Sequence, residues 1–128
     1  MSEQSDSKAR PLSPRLSIYR WHPAMIASIA HRITGLILVL FVPLYLWLLH
    51  GMTGSSENFE VVFNWMHSVP GRLSLWLVGV ALIYHFCNGI RFLCVDAGWL
   101  ESRIALRNSA RFVLLFTVIT ALALAAML

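Results

Sequence analysis

Two sets of polar side chains interrupt segments that are otherwise apolar, and these are the residues that could do chemistry. The first set lies in the stretch "ASIAHRITG" and consists of Ser28, His31, Arg32 and Gly35. A spacing of i, i+3, i+4 and i+7 puts a hydroxyl, an imidazole, a guanidinium and a gap on one helix face. Such a face suits a ligand that carries carbonyl or carboxylate oxygens. Arg32 taken alone can also be explained by snorkelling to a membrane interface.

The second set is centred on His85, in "YHFCNGIRFLCVD". Ala81 and Gly89 lie one helical turn to either side, so they leave a shallow slot in which a flat ring could approach the backbone. A neutral imidazole is a common haem ligand, but a histidine hydrogen-bonded across a helix interface explains the same pattern. A haem held by two histidines would need the second one from another chain. Arg91 points away from His85 and is expected to meet a headgroup or another subunit.

The elements that must position these residues are helices that cross a membrane. Hydrophobic residues make up 58% of the 128 residues and charged residues only 12%. A soluble domain of this length could not bury so much apolar sequence. Three runs lack a formal charge, at residues 33–49, 73–90 and 112–128. Each run is close to the ~17–25 residues that a helix needs to cross a hydrocarbon core of about 30 Å.

The predicted fold is therefore an all-α membrane protein in one membrane-anchor domain, residues 1–128. A tail of residues 1–22 precedes three transmembrane helices, which are expected at about residues 25–50, 72–95 and 108–128. Pro43 should kink the first helix. The loop after it should contain a short amphipathic helix on the outer surface, because apolar residues recur there at helical spacing. These residues are Phe59, Val62, Phe63 and Met66.

Basic residues predict the orientation of the chain in the membrane. They cluster before the first span and between the second and third spans, whereas the first loop has only Arg72. Positive residues mark the inner face, so the N-terminus is expected inside and the C-terminus outside. This topology and contact with anionic membrane lipid explain the basic pI of about 9.7, so we expect no nucleic-acid binding. The tail lacks the features of a presequence, which favours a bacterial inner membrane over the mitochondrial inner membrane.

Two stretches of the chain resemble a known family. "RPLSPRLSIYRWHPAMIASIAHRITG" and "HFCNGIRFLCVDAG" are similar to the two signatures of the cytochrome b556 membrane-anchor subunit of succinate dehydrogenase, respiratory complex II. The resemblance covers nearly the whole chain and includes RPLSP, IYRW and S-x-x-HR-x-TG in order. The chain departs from the family pattern at Arg15 and Phe92, where the family would have histidines.

The resemblance implies that His85 is an axial ligand of one haem b, with the other axial histidine supplied by a second membrane-anchor subunit. It also implies that His31 and Arg32 lie near the haem propionates. Ser28 and Arg32 match positions that line a ubiquinone pocket at the junction with the iron–sulfur subunit. Asp96 is a candidate proton relay at the inner end of the same helix as His85.

The function that the resemblance implies is that of an anchor subunit in a succinate:quinone oxidoreductase. A flavoprotein subunit would oxidise succinate, and electrons would pass through the iron–sulfur subunit to ubiquinone. Two alternatives stay open at this point. One is the anchor of a fumarate reductase, in which the flow of electrons is reversed, and the other is a purely structural membrane anchor without a redox role.

Overall fold

The structure, a computed structural model, describes residues 21–128 and contains helices and no strand in that range. The helices are α1 (Pro23–Leu40), α2 (Val42–Thr53), α3 (Ser56–His67), α4 (Val69–Asp96) and α5 (Arg103–Met127). The predicted all-α class is confirmed. Most of the predicted tail, including Arg15, lies outside the described residues.

Three of these helices are long and apolar enough to cross a membrane. The most apolar 18-residue windows of α1, α4 and α5 have mean hydropathies of 1.6, 1.6 and 2.2. Large apolar side chains such as Val39 and Leu122, each 67% exposed, cover the outside of the bundle. Lipid can cover such a surface at no cost, whereas water cannot. The prediction of three membrane-crossing helices is confirmed, and their orientation stays a prediction.

The segment predicted as one span at residues 25–50 is divided into two helices. α1 ends at Leu40, and α2 begins at Val42 after the single turn residue Phe41. Pro43 has no N–H to donate to the carbonyl of Val39, and its ring crowds that carbonyl. The kink predicted at Pro43 therefore takes the form of a helix break two residues before it.

The amphipathic helix predicted in the first loop is α3. Its N-cap Ser55 accepts a backbone hydrogen bond through its side chain. Val62 is buried against α2, where it packs so closely on Gly51 that any side chain at this glycine would collide with it. Phe59 and Phe63 are exposed and stack on each other, with their ring centroids 5.9 Å apart. This exposed aromatic pair is part of the apolar face that the sequence pattern predicted, whereas Val62 of the same face is buried against α2.

α1, α4 and α5 pack against one another around a core made mainly of small side chains. The buried apolar residues of these helices are Ala27, Val78, Ala81, Tyr84, Ala110 and Val113. Small residues let helix backbones approach closely, which matters in lipid because packing and hydrogen bonds, not the hydrophobic effect, hold helices together there. Trp76 adds one such bond, since its Nε1 donates to the carbonyl of Ala121 at 2.9 Å.

Arg91 lies inside the bundle and not on its surface. Its side chain is only 5% exposed, and its Nε donates to Ser109 Oγ at 3.0 Å while Nη2 donates to the carbonyl of Leu106 at 3.0 Å. The prediction that Arg91 meets a headgroup or another subunit is therefore wrong. The polar first turns of α5 supply two acceptors to the guanidinium.

Replacing Ser109 with Ala should destabilise the α4–α5 contact by about 1–3 kcal/mol, because it leaves a buried guanidinium N–H without an acceptor. Thermal unfolding of the detergent-solubilised protein measures this effect. Thr120→Ala is the matched control, since the Thr120 hydroxyl bonds only to the carbonyls of its own helix. Equal midpoints for the two variants would contradict a stabilising role for the Arg91–Ser109 bond.

Candidate functional site

The candidate site lies where α1 meets α4, around the imidazole of His85. Its Nδ1 is 3.1 Å from the carbonyl oxygen of His31 and 3.3 Å from Thr34 Oγ1. A carbonyl oxygen can only accept a hydrogen bond, so Nδ1 must carry the proton and donate it. In the neutral ring Nε2 is then unprotonated, and its lone pair is available to a metal.

The imidazole of His31 stacks on that of His85. The two ring centroids are 3.9 Å apart and the ring planes differ by 9°. Phe92 contacts the His31 ring edge-on, at a centroid distance of 5.2 Å. Among the residues that the structure describes, His31 Nε2 is a buried polar atom without a hydrogen-bond partner. An atom of this kind costs about 1–3 kcal/mol unless it is paired, and because it is sealed against α4 beside Gly89 it is not open to a ligand in the groove.

Two glycines make room for the two imidazoles. His31 and Gly35 on α1, like His85 and Gly89 on α4, are four residues apart, and each histidine packs over the glycine of the other helix. A Cβ at Gly35 would lie 3.0 Å from His85 Cε1, whereas a Cβ at Gly89 would lie 3.7 Å from His31 Nε2. The sequence predicted a slot beside Gly89 that could take a flat ring, and in the structure the imidazole of His31 packs there.

The two interpretations of His85 that the sequence left open concern different nitrogens of the ring. Nδ1 makes the hydrogen bond across the α1–α4 interface. His85 is half-buried, and within residues 21–128 the polar atoms that are buried without a partner do not include its Nε2. An imidazole can therefore serve the helix contact with one nitrogen and offer the other to a ligand.

An open groove of about 390 Å³ runs beside the stacked rings. It is lined by His31, His85, Phe86, Gly89, Ile90 and Leu93. Apart from the two imidazoles the lining is apolar, and it is open on the side away from this chain, with Phe86 65% and Leu93 69% exposed. A flat, mainly apolar group fits against this wall, and its other face would be covered by lipid or by another chain.

The donor set of the groove fits an axial haem ligand better than a metal site made by this chain alone. Within residues 21–128 no group of three or more histidine, cysteine, aspartate or glutamate side chains is placed to hold a metal ion. A zinc site needs three or four such ligands, whereas a haem needs one imidazole from each side of the iron at most. His85 Nε2 and an apolar wall meet that requirement.

The other predicted site residues lie close to His31 on α1 and at the C-terminal end of α4. Ser28 is half-buried one turn before His31, and Arg32 is exposed beside it. Asp96 is the exposed last residue of α4, about three turns beyond His85 and roughly 16 Å along the helix. The structure therefore places Ser28, His31 and Arg32 in one segment, and Asp96 is not in contact with the stacked rings.

Three polar residues that hold α1 against α4 were not singled out from the sequence. Tyr84 Oη donates to the carbonyl of Ala27 at 2.8 Å, and Asn88 Nδ2 donates to the same oxygen at 3.2 Å. Thr34 contacts His85, as described above. The spacing of Tyr84 and Asn88, i and i+4 in an apolar helix, was a signal of a polar contact with another helix.

Comparison with known proteins identifies the family. The family model described as "Succinate dehydrogenase/Fumarate reductase transmembrane subunit" matches residues 6–124. The chain belongs to this family. The match confirms the resemblance seen in the two sequence signatures, and with it the assignment to the membrane-anchor subunits.

Individual relatives agree with the family match. The chain is 37% identical over 94 residues to the succinate dehydrogenase cytochrome b556 subunit of Coxiella burnetii. The aligned region covers 73% of this chain and 75% of that protein. The chain is 40% identical over 94 residues to the subunit of the same name from Paracoccus denitrificans, covering 70% and 69%. It is 36% identical over 120 residues to the mitochondrial succinate dehydrogenase cytochrome b560 subunit of Sus scrofa, covering 92% and 71%. Bacterial and mitochondrial proteins both match, so the bacterial inner membrane stays a prediction.

Gly35→Ala should disturb the site more than Gly89→Ala. The added methyl group at Gly35 meets His85 Cε1 at 3.0 Å, and overpacking of this kind costs about 1–3 kcal/mol. At Gly89 the methyl group would make an ordinary contact, and alanine favours the helix by roughly 0.5–1 kcal/mol over glycine. Thermal unfolding midpoints of the two variants give the comparison. A larger loss for Gly89→Ala would show that the rings do not pack on the glycines in this way.

Proposed function

We propose that this chain is the haem b- and ubiquinone-binding membrane-anchor subunit of a succinate dehydrogenase, and that it passes electrons from the iron–sulfur subunit to ubiquinone. The observation that carries the proposal is the His85 ring, whose Nδ1 is engaged by α1 so that Nε2 is left for a ligand in an apolar groove. Membership of the family, and relatives whose names contain cytochrome b556 and b560, support haem b as that ligand.

The residues of the groove would hold the haem in three ways. When bound, haem b supplies one-electron redox chemistry at its iron. His85 would ligate the iron through Nε2, in an orientation fixed by the hydrogen bond to α1. Ile90 and Leu93 would line one side of the haem, and the Arg32 guanidinium would bind the propionates, joined by His31 if its ring turns so that the sealed Nε2 is uncovered. A charge-assisted bond from Arg32 would be strengthened by the low dielectric of the membrane.

A second membrane-anchor subunit would supply the other axial histidine. The groove is open on one side, and the surface around it is an exposed apolar strip formed by Leu82, Phe86, Ile90 and Leu93. Residues of this strip recur at three- and four-residue spacing along α4, so they can pack against a helix of another chain. The same packing would enclose the haem between the two subunits.

The ubiquinone site would lie at the predicted inner end of α1. The Ser28 hydroxyl can donate a hydrogen bond to a quinone carbonyl oxygen, and one turn later Arg32 can stabilise the negative charge that develops on such an oxygen during reduction. Both residues would face the iron–sulfur subunit, which receives electrons from the flavoprotein subunit that oxidises succinate. Asp96, exposed at the end of α4, would relay protons from the aqueous phase on that side. For a bacterial chain this membrane is the inner membrane.

A fumarate reductase anchor is the second candidate, because the description of the family model names both enzymes. The two candidates differ in the direction of electron flow and in the quinone. Turnover of the purified complex with succinate and ubiquinone, compared with turnover with fumarate and a low-potential quinol, separates them.

His85→Ala should abolish the absorption bands of reduced b-type haem in the purified complex, because it removes the imidazole nitrogen that would ligate the iron in the groove. The matched control is His50→Ala, since His50 is exposed on α2. Co-purification of the other subunits shows that the complex has assembled. Unchanged bands in an assembled His85→Ala complex would remove His85 from the site, and a wild-type complex without such bands would favour a purely structural anchor.

Substitutions at Ser28 and Arg32 should separate quinone reduction from succinate oxidation. We expect kcat/KM for ubiquinone to fall roughly tenfold in Ser28→Ala, through loss of one hydrogen bond. In Arg32→Leu it should fall about a hundredfold, through loss of charge stabilisation. Succinate oxidation by an artificial dye should persist in both variants.

Arg72→Leu is the control for Arg32→Leu, because Arg72 is also exposed but lies near the start of α4, far along the helix from His85. If quinone and dye activities fall together, the substitutions act on assembly and the quinone assignment fails.

A further inference from the structure

The hydroxyl of Thr34, on α1, lies within hydrogen-bonding distance of the His85 imidazole. Its Oγ1 lies 2.9 Å from the carbonyl oxygen of Ala30 and 3.0 Å from that of His31, as well as 3.3 Å from His85 Nδ1. The residue is half-buried at the α1–α4 contact. Thr34 has no part in the proposed function.

The direction of each hydrogen bond in this group follows from the carbonyl oxygens, which can only accept. The Thr34 hydroxyl has one hydrogen, and the carbonyls of Ala30 and His31 can only accept. The hydroxyl therefore donates back to its own helix, a common arrangement for threonine in apolar helices. Its lone pair is left facing His85 Nδ1, so Nδ1–H is shared between two acceptors, the His31 carbonyl and Thr34 Oγ1.

Neighbouring atoms hold this pair of acceptors in place. Thr34 is β-branched, so its side chain has few rotamers in a helix, and the bond to the backbone fixes Oγ1. On the adjacent position of α1, Gly35 lets the His85 ring come close, while the face of the ring is covered by His31. The His85 ring can rotate little without losing one of the two hydrogen bonds.

We infer that Thr34 is a positioning residue for His85: its hydroxyl, a second acceptor beside the His31 carbonyl, holds the orientation of the imidazole and lowers the reduction potential of the haem. This inference rests on the proposed role of His85 as an axial ligand. A histidine that donates its second N–H to an acceptor is a more basic ligand to the metal. A more basic ligand favours the oxidised iron, so removing one of two acceptors raises the potential.

The test is a redox titration of the haem in the purified complex, followed through its reduced absorption bands. Thr34→Val removes the hydroxyl and keeps the branched shape, whereas Thr34→Ser keeps the hydroxyl. We expect the equilibrium constant for haem reduction to rise roughly two- to tenfold in Thr34→Val, the range of one hydrogen bond. Thr34→Ser should titrate as the wild type does.

Thr120→Val is the matched control for loss of a helix-bonded hydroxyl. Its Oγ1 donates to the carbonyls of Phe116 and Thr117 at 2.9 and 3.0 Å, as Thr34 does on its own helix, and makes no hydrogen bond to a histidine of residues 21–128. This variant should leave the haem potential unchanged. If Thr34→Val does not assemble with the other subunits, Thr34→Ala removes the same hydroxyl with less volume and is judged by the same criterion.

The outcomes separate this inference from the proposed function. If the haem bands survive His85→Ala, the proposed ligand is wrong and the role of Thr34 falls with it. If the bands depend on His85 but Thr34→Val titrates at the wild-type potential, the inference is overturned while the haem proposal stands. The same conclusion follows if Thr34→Ser shifts the potential as far as Thr34→Val does.

Discussion

The hydrogen bond from His85 Nδ1 to the carbonyl of His31 is the contact on which the rest of the site depends. Lipid covers an apolar helix as well as another helix does, so the hydrophobic effect does not hold two helices together in a membrane. A hydrogen bond between them is one of the few interactions that can. The same bond fixes which nitrogen of the imidazole is protonated. It therefore links the assembly of α1 and α4 to the chemical state of the ring, and neither can change without the other.

That bond is possible only because the helix backbones come close together. Ala27, Gly35 and Gly89 present almost no side-chain volume at the α1–α4 contact, and the Ala27 carbonyl accepts two bonds from α4. The fit is tighter at Gly35, under the His85 ring, than at Gly89, under the His31 ring. A ligand to a metal benefits from such support, since its orientation is fixed before the metal binds.

The two sides of α4 differ in how far their contacts are made within this chain. Towards α5 the buried charge of Arg91 finds both of its acceptors within the chain. On the other side the groove beside His85 is open and bordered by exposed Phe86 and Leu93. A helix that is complete on one side and open on the other is what an anchor subunit needs if it forms a cofactor site together with another chain.

Length, hydropathy and residue spacing were enough to predict the three membrane-crossing helices and the amphipathic α3, because these depend on local sequence and on the 3.6-residue period of a helix. The same period and two short signatures led to His85 and to the family. Only the tertiary structure decided which neighbour each polar residue meets. The period of a helix gives the direction of a side chain, but the register between two helices depends on packing among residues far apart in the chain. For that reason Arg91 was expected to face outward although it bonds to α5, and the stacking of His31 and the contact of Thr34 with His85 could not be predicted.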